Sequence, residues 1–377
     1  GILVQPIVGT LSDKTWTRFG RRIPYLFIGA TIAVLVMCLL PNAGSLGLGI
    51  SAAMMFGLVA LMFLDTSINM AMQPFKMLVG DMVNEKQKAK AYSIQSFLCN
   101  AGSVVGFLFP FFFTYIGIKN VAEKGVVPDS VIWSFYVGAV ILILCVFYTT
   151  AKVKEWNPQE YAEYNGANEP DKEDSANWMT LLKKAPSTFW KVGLVQFFCW
   201  AAFLYMWNYT TGAIAETVWN TTDPASEAFQ DAGNWVGVLF AVQAIGSVLW
   251  AAILPQFKNT KMAYGVSLII GGIGFAMIPF IHNAYLQFVP FLLIGCAWAA
   301  MLAMPFTFVT NALQGYGHMG AYLGLFNGTI CIPQIIAALC GGVVLSIVGH
   351  HQSTMMIVSG VLLCIGAACV TVIRSKA

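Results

Sequence analysis

Asp65 stands inside an apolar run, between Phe63-Leu64 and Ile68, with Asn69 and Gln73 four and eight residues further on. On a helix that spacing sets a carboxylate and two amides on one face. A carboxylate takes and releases protons, whereas amides both donate and accept hydrogen bonds and so suit hydroxyl-rich ligands. An acid within a membrane span costs about 2.5–3.5 kcal/mol on insertion scales, and desolvation favours its neutral form. Asp65 is therefore the expected site of reversible protonation. The same residue would also serve as a structural acid bonded to a neighbouring helix, or as a sodium ligand.

Further amides lie in apolar runs at Asn100, Gln243, Asn311, Asn327 and Gln334. Any one of them could instead hold helix to helix. Aromatic faces cover the C–H side of a sugar ring, and Trp200, Tyr205 and Trp298 sit deep enough in their runs to do so. Trp207 and Trp219 fit the aromatic belt at a membrane surface. A third group is a charged loop, Gly9-Thr-Leu-Ser-Asp13-Lys-Thr-Trp-Thr-Arg18-Phe-Gly20-Arg21-Arg22. A small residue there lets helices approach, and an acid near a helix end pairs with cations or a helix N-terminus. With no more than that, the loop could simply be a basic topology signal.

The elements that position these residues follow from composition. The chain has 377 residues, of which 58% are hydrophobic and 10% charged, where a soluble domain carries about 25% charged. That excludes a soluble enzyme and a nucleic-acid binder. Ten apolar runs are long enough to span a bilayer, at about 20 residues each: 24–40, 48–80, 92–117, 131–151, 189–215, 235–255, 262–281, 286–313, 320–348 and 354–373. An eleventh, 1–8, is short. All Lys and Arg residues except Lys119 and Lys124 fall in one set of alternate loops, which the positive-inside rule makes cytoplasmic. The C-terminus then lies in the cytoplasm, and topology predicts a first span and the start of a second upstream of Gly1. The nine cysteines have no Cys-x-x-Cys spacing and read as free thiols. No nucleotide-binding loop, nucleophile elbow or HExxH motif occurs, so no metal, no cofactor and no enzymatic chemistry are expected.

The two halves echo each other. Ala71-Met72-Gln73-Pro74-Phe75 resembles Ala303-Met304-Pro305-Phe306, and Ala91-Tyr92 resembles Ala321-Tyr322, at a common offset to within one residue. Parallel repeats of this kind mark transporters built from two bundles. The expected organisation is an incomplete N-terminal bundle over 1–151, a cytoplasmic linker over 152–191 and a C-terminal bundle over 192–377. The acidic run 169–174 is expected to be solvated.

Gly9, Asp13, Gly20, Arg21 and Arg22 resemble the cytoplasmic loop motif of the major facilitator superfamily, Gly-x-x-x-Asp followed by Gly-Arg-Arg. Its second-half counterpart, Gln256-Phe-Lys258-Asn-Thr-Lys261, keeps the charge but loses the pattern. Within that superfamily the resemblance narrows to plant sucrose/proton symporters and their bacterial and animal relatives. It rests on Pro6, Gly9, Ser12, Asp13, Lys14, Gly20-Arg21-Arg22 and Pro24, and on Leu64-Asp65, Asn69, Pro74, Lys76 and Asp81 in the fourth helix. Gly324-Leu-Phe-Asn327 with Ile332-Pro333-Gln334 matches the eleventh. Lys76 stands where plant members carry Arg, and Tyr209-Thr210-Thr211 replaces a stretch with aspartates, so the bacterial branch is the nearer resemblance.

The resemblance implies an all-α polytopic membrane protein of two six-helix bundles, in the inner or plasma membrane. It implies proton-coupled symport of an α-glucoside of the maltose or sucrose type by alternating access. Asp65 would carry the proton. Asn69, Gln73, Asn100, Trp200, Tyr205, Gln243, Trp298, Asn327 and Gln334 would contact the sugar. Asp13, Arg18, Arg21, Arg22, Lys76 and Asp81 would form the cytoplasmic gate. Partners would be the sugar, a proton or sodium, and the bilayer, with no nucleic acid and a monomeric state. A sodium-coupled melibiose-type symporter and a membrane sugar sensor on a transporter fold are the alternatives.

Overall fold

The computed structural model describes residues 1–83, 85–122, 126–165, 177–313 and 319–374, and within its helices the side chains of Asp13, Lys76 and Asp81 lie outside the described set. So does the acidic run 169–174. Among the described residues the structure is helical, with one isolated bridge between Thr17 and Gly20. Ten helices are long and apolar enough to cross a membrane. The chain divides into two compact units, Gly1–Cys99 with Phe112–Ser175, and Asn100–Phe111 with Ala176–Ala377.

The first unit contains α1 (Val4–Lys14), α2 (Ile23–Leu39), α3 (Ile50–Met82), most of α4 (Glu85–Tyr115), α5 (Asp129–Lys152) and α6 (Pro158–Asn165). Helix α1 runs through Gly9 and Ser12, so half of the loop motif is helical. Helix α2 carries no charge and starts with Pro24 in its first turn, where a missing N–H costs nothing. It lies close to α3 because Gly29 has no side chain: a Cβ there would stand 2.8 Å from the Ser67 carbonyl oxygen. Leu26, Ala30, Leu78 and Val146 form a small core between α2, α3 and α5.

The second unit holds the larger core. It comprises α7 (Trp178–Lys184), α8 (Ser187–Thr217), α9 (Glu227–Ile253), α10 (Thr260–Met277), α11 (Phe288–Ala312), α12 (Met319–Phe326), α13 (Gly328–Ile347) and α14 (Gln352–Val370). Helix α8 is its centre and packs against α14, α13, α11 and α9. Side-chain caps start three of these helices: Asn177 on α7, Ser226 on α9 and Asn259 on α10. Glu216, in the last turn of α8, accepts from the Gln352 and Ser353 N–H groups at 3.2 and 3.3 Å. These are donors that the first turn of α14 leaves without an intrahelical partner.

The expected span 320–348 has its counterpart in the candidate span Gly324–Ile347, whose helix is interrupted at one residue, Asn327, between α12 and α13. Gly328 is a poor helix former, and the Thr329 hydroxyl donates to the Phe326 carbonyl at 2.6 Å, competing with the backbone ladder. Helices α10 and α14 approach backbone to backbone: a Cβ on Gly272 would meet the Gly360 oxygen at 2.9 Å, and one on Gly360 the Gly272 oxygen at 2.7 Å. Gly272→Val is therefore expected to destabilise by about 1–3 kcal/mol through overpacking. A lowered thermal midpoint in detergent checks this, and an unchanged midpoint contradicts the contact.

Candidate functional site

Asp65 lies in the middle of α3. Its side chain is 65% exposed within the chain itself. What surrounds it is a chain of hydrogen bonds. Asn69, one turn on and buried, donates Nδ2 to the Asp65 backbone oxygen at 2.7 Å and to Oδ1 at 3.1 Å. Gln5 of α1 donates Nε2 to Asn69 Oδ1 at 2.7 Å. The Gly1 nitrogen lies 3.3 Å from Asp65 Oδ2. Gln73 is half-buried on the same helix. Gln5 escaped the sequence reading because it falls in a run too short to count as a span, although it is an amide among apolar residues like the others.

The loop between α1 and α2 folds around a residue the sequence did not single out. Glu155, beyond the end of α5, accepts from Arg22 N at 2.9 and 3.0 Å and from Ile23 N at 3.1 Å. These N–H groups open α2, where the helix dipole favours an anion. Gly20 has φ +106°, and any Cβ on it would overlap the Glu155 carboxylate. Glycine is required there twice over. The Arg22 guanidinium, 1% exposed, donates to the Ser12 hydroxyl. The Arg21 guanidinium is held between the Trp16 and Tyr161 rings, 4.8 and 4.3 Å from their centroids, in cation–π geometry.

Of the six expected gate residues, then, Arg21 and Arg22 are brought together in this clamp. Arg18 is exposed against Phe19 and stands outside it. Asp13, Lys76 and Asp81 lie outside the described side chains.

In the second unit Trp200, Trp207 and Trp298 form an aromatic box with Phe203. Ring centroids are 5.5 Å apart for Trp200–Trp298, 5.9 Å for Trp207–Trp298 and 6.3 Å for Trp200–Trp207. Trp207, 40% exposed, is the most open of the four. Gln196, fully buried, accepts from Trp200 Nε1 at 2.9 Å and donates to Thr329 Oγ1 at 3.2 Å. It locks the indole in place and ties α8 to α13. The sequence reading passed over Gln196 although its i, i+4 spacing to Trp200 was visible.

The remaining expected sugar contacts are more scattered. Tyr205 is buried against Tyr209, with centroids 5.9 Å apart. Gln243 is buried in α9. Gln334 donates to the Ile330 carbonyl of its own helix at 3.1 Å, and Asn327 reaches Cys331 Sγ at 3.6 Å. Asn100, half-buried, belongs to the segment of α4 that groups with the second unit. No group of three His, Cys, Asp or Glu among the described residues could hold a metal ion.

The Major Facilitator Superfamily profile matches residues 1–338. The chain belongs to that superfamily. It is a multi-pass integral membrane protein of a transporter fold, not an enzyme. Among its relatives within the superfamily, sucrose transport protein SUT5 of Oryza sativa subsp. indica is 23% identical over 403 residues, covering 91% of this chain and 72% of the relative. The general alpha-glucoside permease of Schizosaccharomyces pombe is 26% identical over 224 residues, covering 54% of this chain and 38% of the permease. Solved superfamily structures share the fold. The transporter FucP in its outward conformation superposes with a TM-score of 0.63 at 15% identity, over 99% of this chain and 87% of its own. The inward-open xylose transporter XylE from E. coli superposes with 0.65 at 11%, over 100% and 84%.

Proposed function

We propose that the protein is a proton-coupled symporter of an α-glucoside, of the maltose or sucrose type, that works by alternating access. The observation that carries this reading is Asp65: a carboxylate in the middle of a membrane helix, hydrogen-bonded to Asn69 within a chain of amides. A carboxylate takes and releases a proton, and its charge changes what the neighbouring amides can bind. The names of the relatives, sucrose transport proteins and an alpha-glucoside permease, supply the substrate class. The tryptophan box fits that class, because an indole face covers the apolar side of a pyranose ring.

In this mechanism Asp65 is ionised when it faces the acidic side and takes a proton there. Protonation removes a charge that otherwise opposes reorientation. Asn69 and Gln73 are sugar contacts, and so are Trp200, Trp207, Trp298 and Asn327. The clamp of Arg21, Arg22 and Glu155 belongs to the cytoplasmic gate, with the C-terminus on the same side. The two bundles, 1–151 and 192–377, are joined through the 152–191 linker, and the transporter acts as a monomer.

Uptake of maltose, sucrose and melibiose into proteoliposomes tests the reading. An inward pH gradient should drive accumulation of maltose or sucrose in sodium-free buffer. Accumulation that follows a sodium gradient and ignores pH would overturn it in favour of melibiose-type coupling.

A further inference from the structure

An amide has a donor end and an acceptor end, and the end that meets a carboxylate decides which protonation state it favours. At Asp65 that end is fixed. Asn69 Nδ2 reaches both the Asp65 backbone oxygen, at 2.7 Å, and the carboxylate Oδ1, at 3.1 Å. Both are acceptors, so the NH2 end of Asn69 faces Asp65 and its oxygen faces α1. There Gln5 Nε2 donates to that oxygen at 2.7 Å. The same nitrogen stands 4.0 Å from Met72 Sδ. Gln5 thus meets the acceptor end of Asn69 with a donor, and the whole chain of amides points its hydrogens toward the carboxylate.

We propose that Gln5 is a positioning residue for the proton site: by donating to Asn69 it keeps a donor on the Asp65 carboxylate and so sets the pH at which Asp65 takes its proton. The inference rests on the reading of Asp65 as the proton carrier. Among the described residues, few charges lie on the helices packed against α3. Helix α1 carries Asp13 and Lys14, about two turns beyond Gln5. Helix α2, also packed on α3, has Tyr25 and Cys38 as its titratable residues and no charge. On α3 itself Lys76 and Asp81 are about three and four turns away.

The test is the pH midpoint of sugar uptake in proteoliposomes for Gln5→Glu and Gln5→Leu. In Gln5→Glu the new carboxylate accepts rather than donates, so it opposes the Asn69 oxygen it faces, pushes the amide out of register and weakens the Nδ2 bond to Asp65 Oδ1. The added negative charge acts in the same direction, against the ionised acid. The midpoint should therefore rise by about one pH unit, the order expected for losing a charge-assisted hydrogen bond. Gln5→Leu keeps the volume and removes the donor, so its midpoint should rise by less. A residue with a merely structural role would lower the rate or the yield of folded protein without moving the midpoint. Wild-type midpoints in both variants would overturn the proposal, and so would a downward shift. Asp65→Asn, measured alongside, separates the two claims. If it retains uphill uptake, the coupling reading itself falls; if it loses uphill uptake while both Gln5 variants titrate as wild type, only the positioning role falls.

Discussion

Asp65→Asn is expected to abolish uphill sugar accumulation while sparing downhill exchange. The substituted amide keeps the shape of the acid, and its oxygen still accepts from Asn69 Nδ2 as Asp65 Oδ1 does now at 3.1 Å. What it loses is the ability to give up a proton. The variant is fixed in a state equivalent to the protonated acid, so its carrier reorients with sugar but moves no proton. With one proton per sugar, a gradient of one pH unit is worth about 1.4 kcal/mol and supports roughly tenfold accumulation. In the variant the accumulation ratio should fall to one under the same gradient. Counterflow of labelled sugar should continue, which separates lost coupling from lost folding. Because the side chain is 65% exposed, its replacement removes no core packing, and thermal stability should change little.

Glu155→Gln is expected to have the opposite profile, with a large effect on stability. The Glu155 carboxylate accepts from Arg22 N with both oxygens and from Ile23 N with one. An amide offers one acceptor and sets an NH2 against donors that already need partners. Loss of charge-assisted bonds of this kind costs about 1.5–3 kcal/mol, and the favourable charge at the α2 N-terminus is lost as well. For a unit of this size that corresponds to a fall of several degrees in the thermal midpoint. Gly20→Ala should resemble it, because the new Cβ displaces the same carboxylate and the backbone sits at φ +106°. Thermal denaturation in detergent and proteolysis of the α1–α2 loop would measure both. A Glu155→Gln variant with the wild-type midpoint would mean that the clamp does not hold the loop.

The sequence made the helices legible because a bilayer imposes length and hydropathy directly. Asn69 was legible for a similar reason: its relation to Asp65 is an i, i+4 spacing along one helix. Glu155 was not. It sits in a polar stretch that reads as linker, and its partner Arg22 is 133 residues away in the chain. Gln5 and Thr329 share that difficulty, since each matters through a side chain on another helix. Burial was the least legible property. Asp65 stands among apolar residues in sequence, yet its side chain is 65% exposed within the chain itself. Gln196 was the reverse case, an amide whose full burial and two partners follow from the central place of α8. Apolar context along the chain sets the helix in the membrane; the faces it packs decide which side chains water and ligand can reach.

The most direct test of proton coupling through Asp65 is the internal pH of sealed proteoliposomes at the moment maltose or sucrose is added outside. The lumen should acidify as sugar enters, without any need for sodium, and this acidification should disappear in Asp65→Asn. Sugar entry with a constant internal pH would contradict the mechanism, as would acidification that persists in that variant.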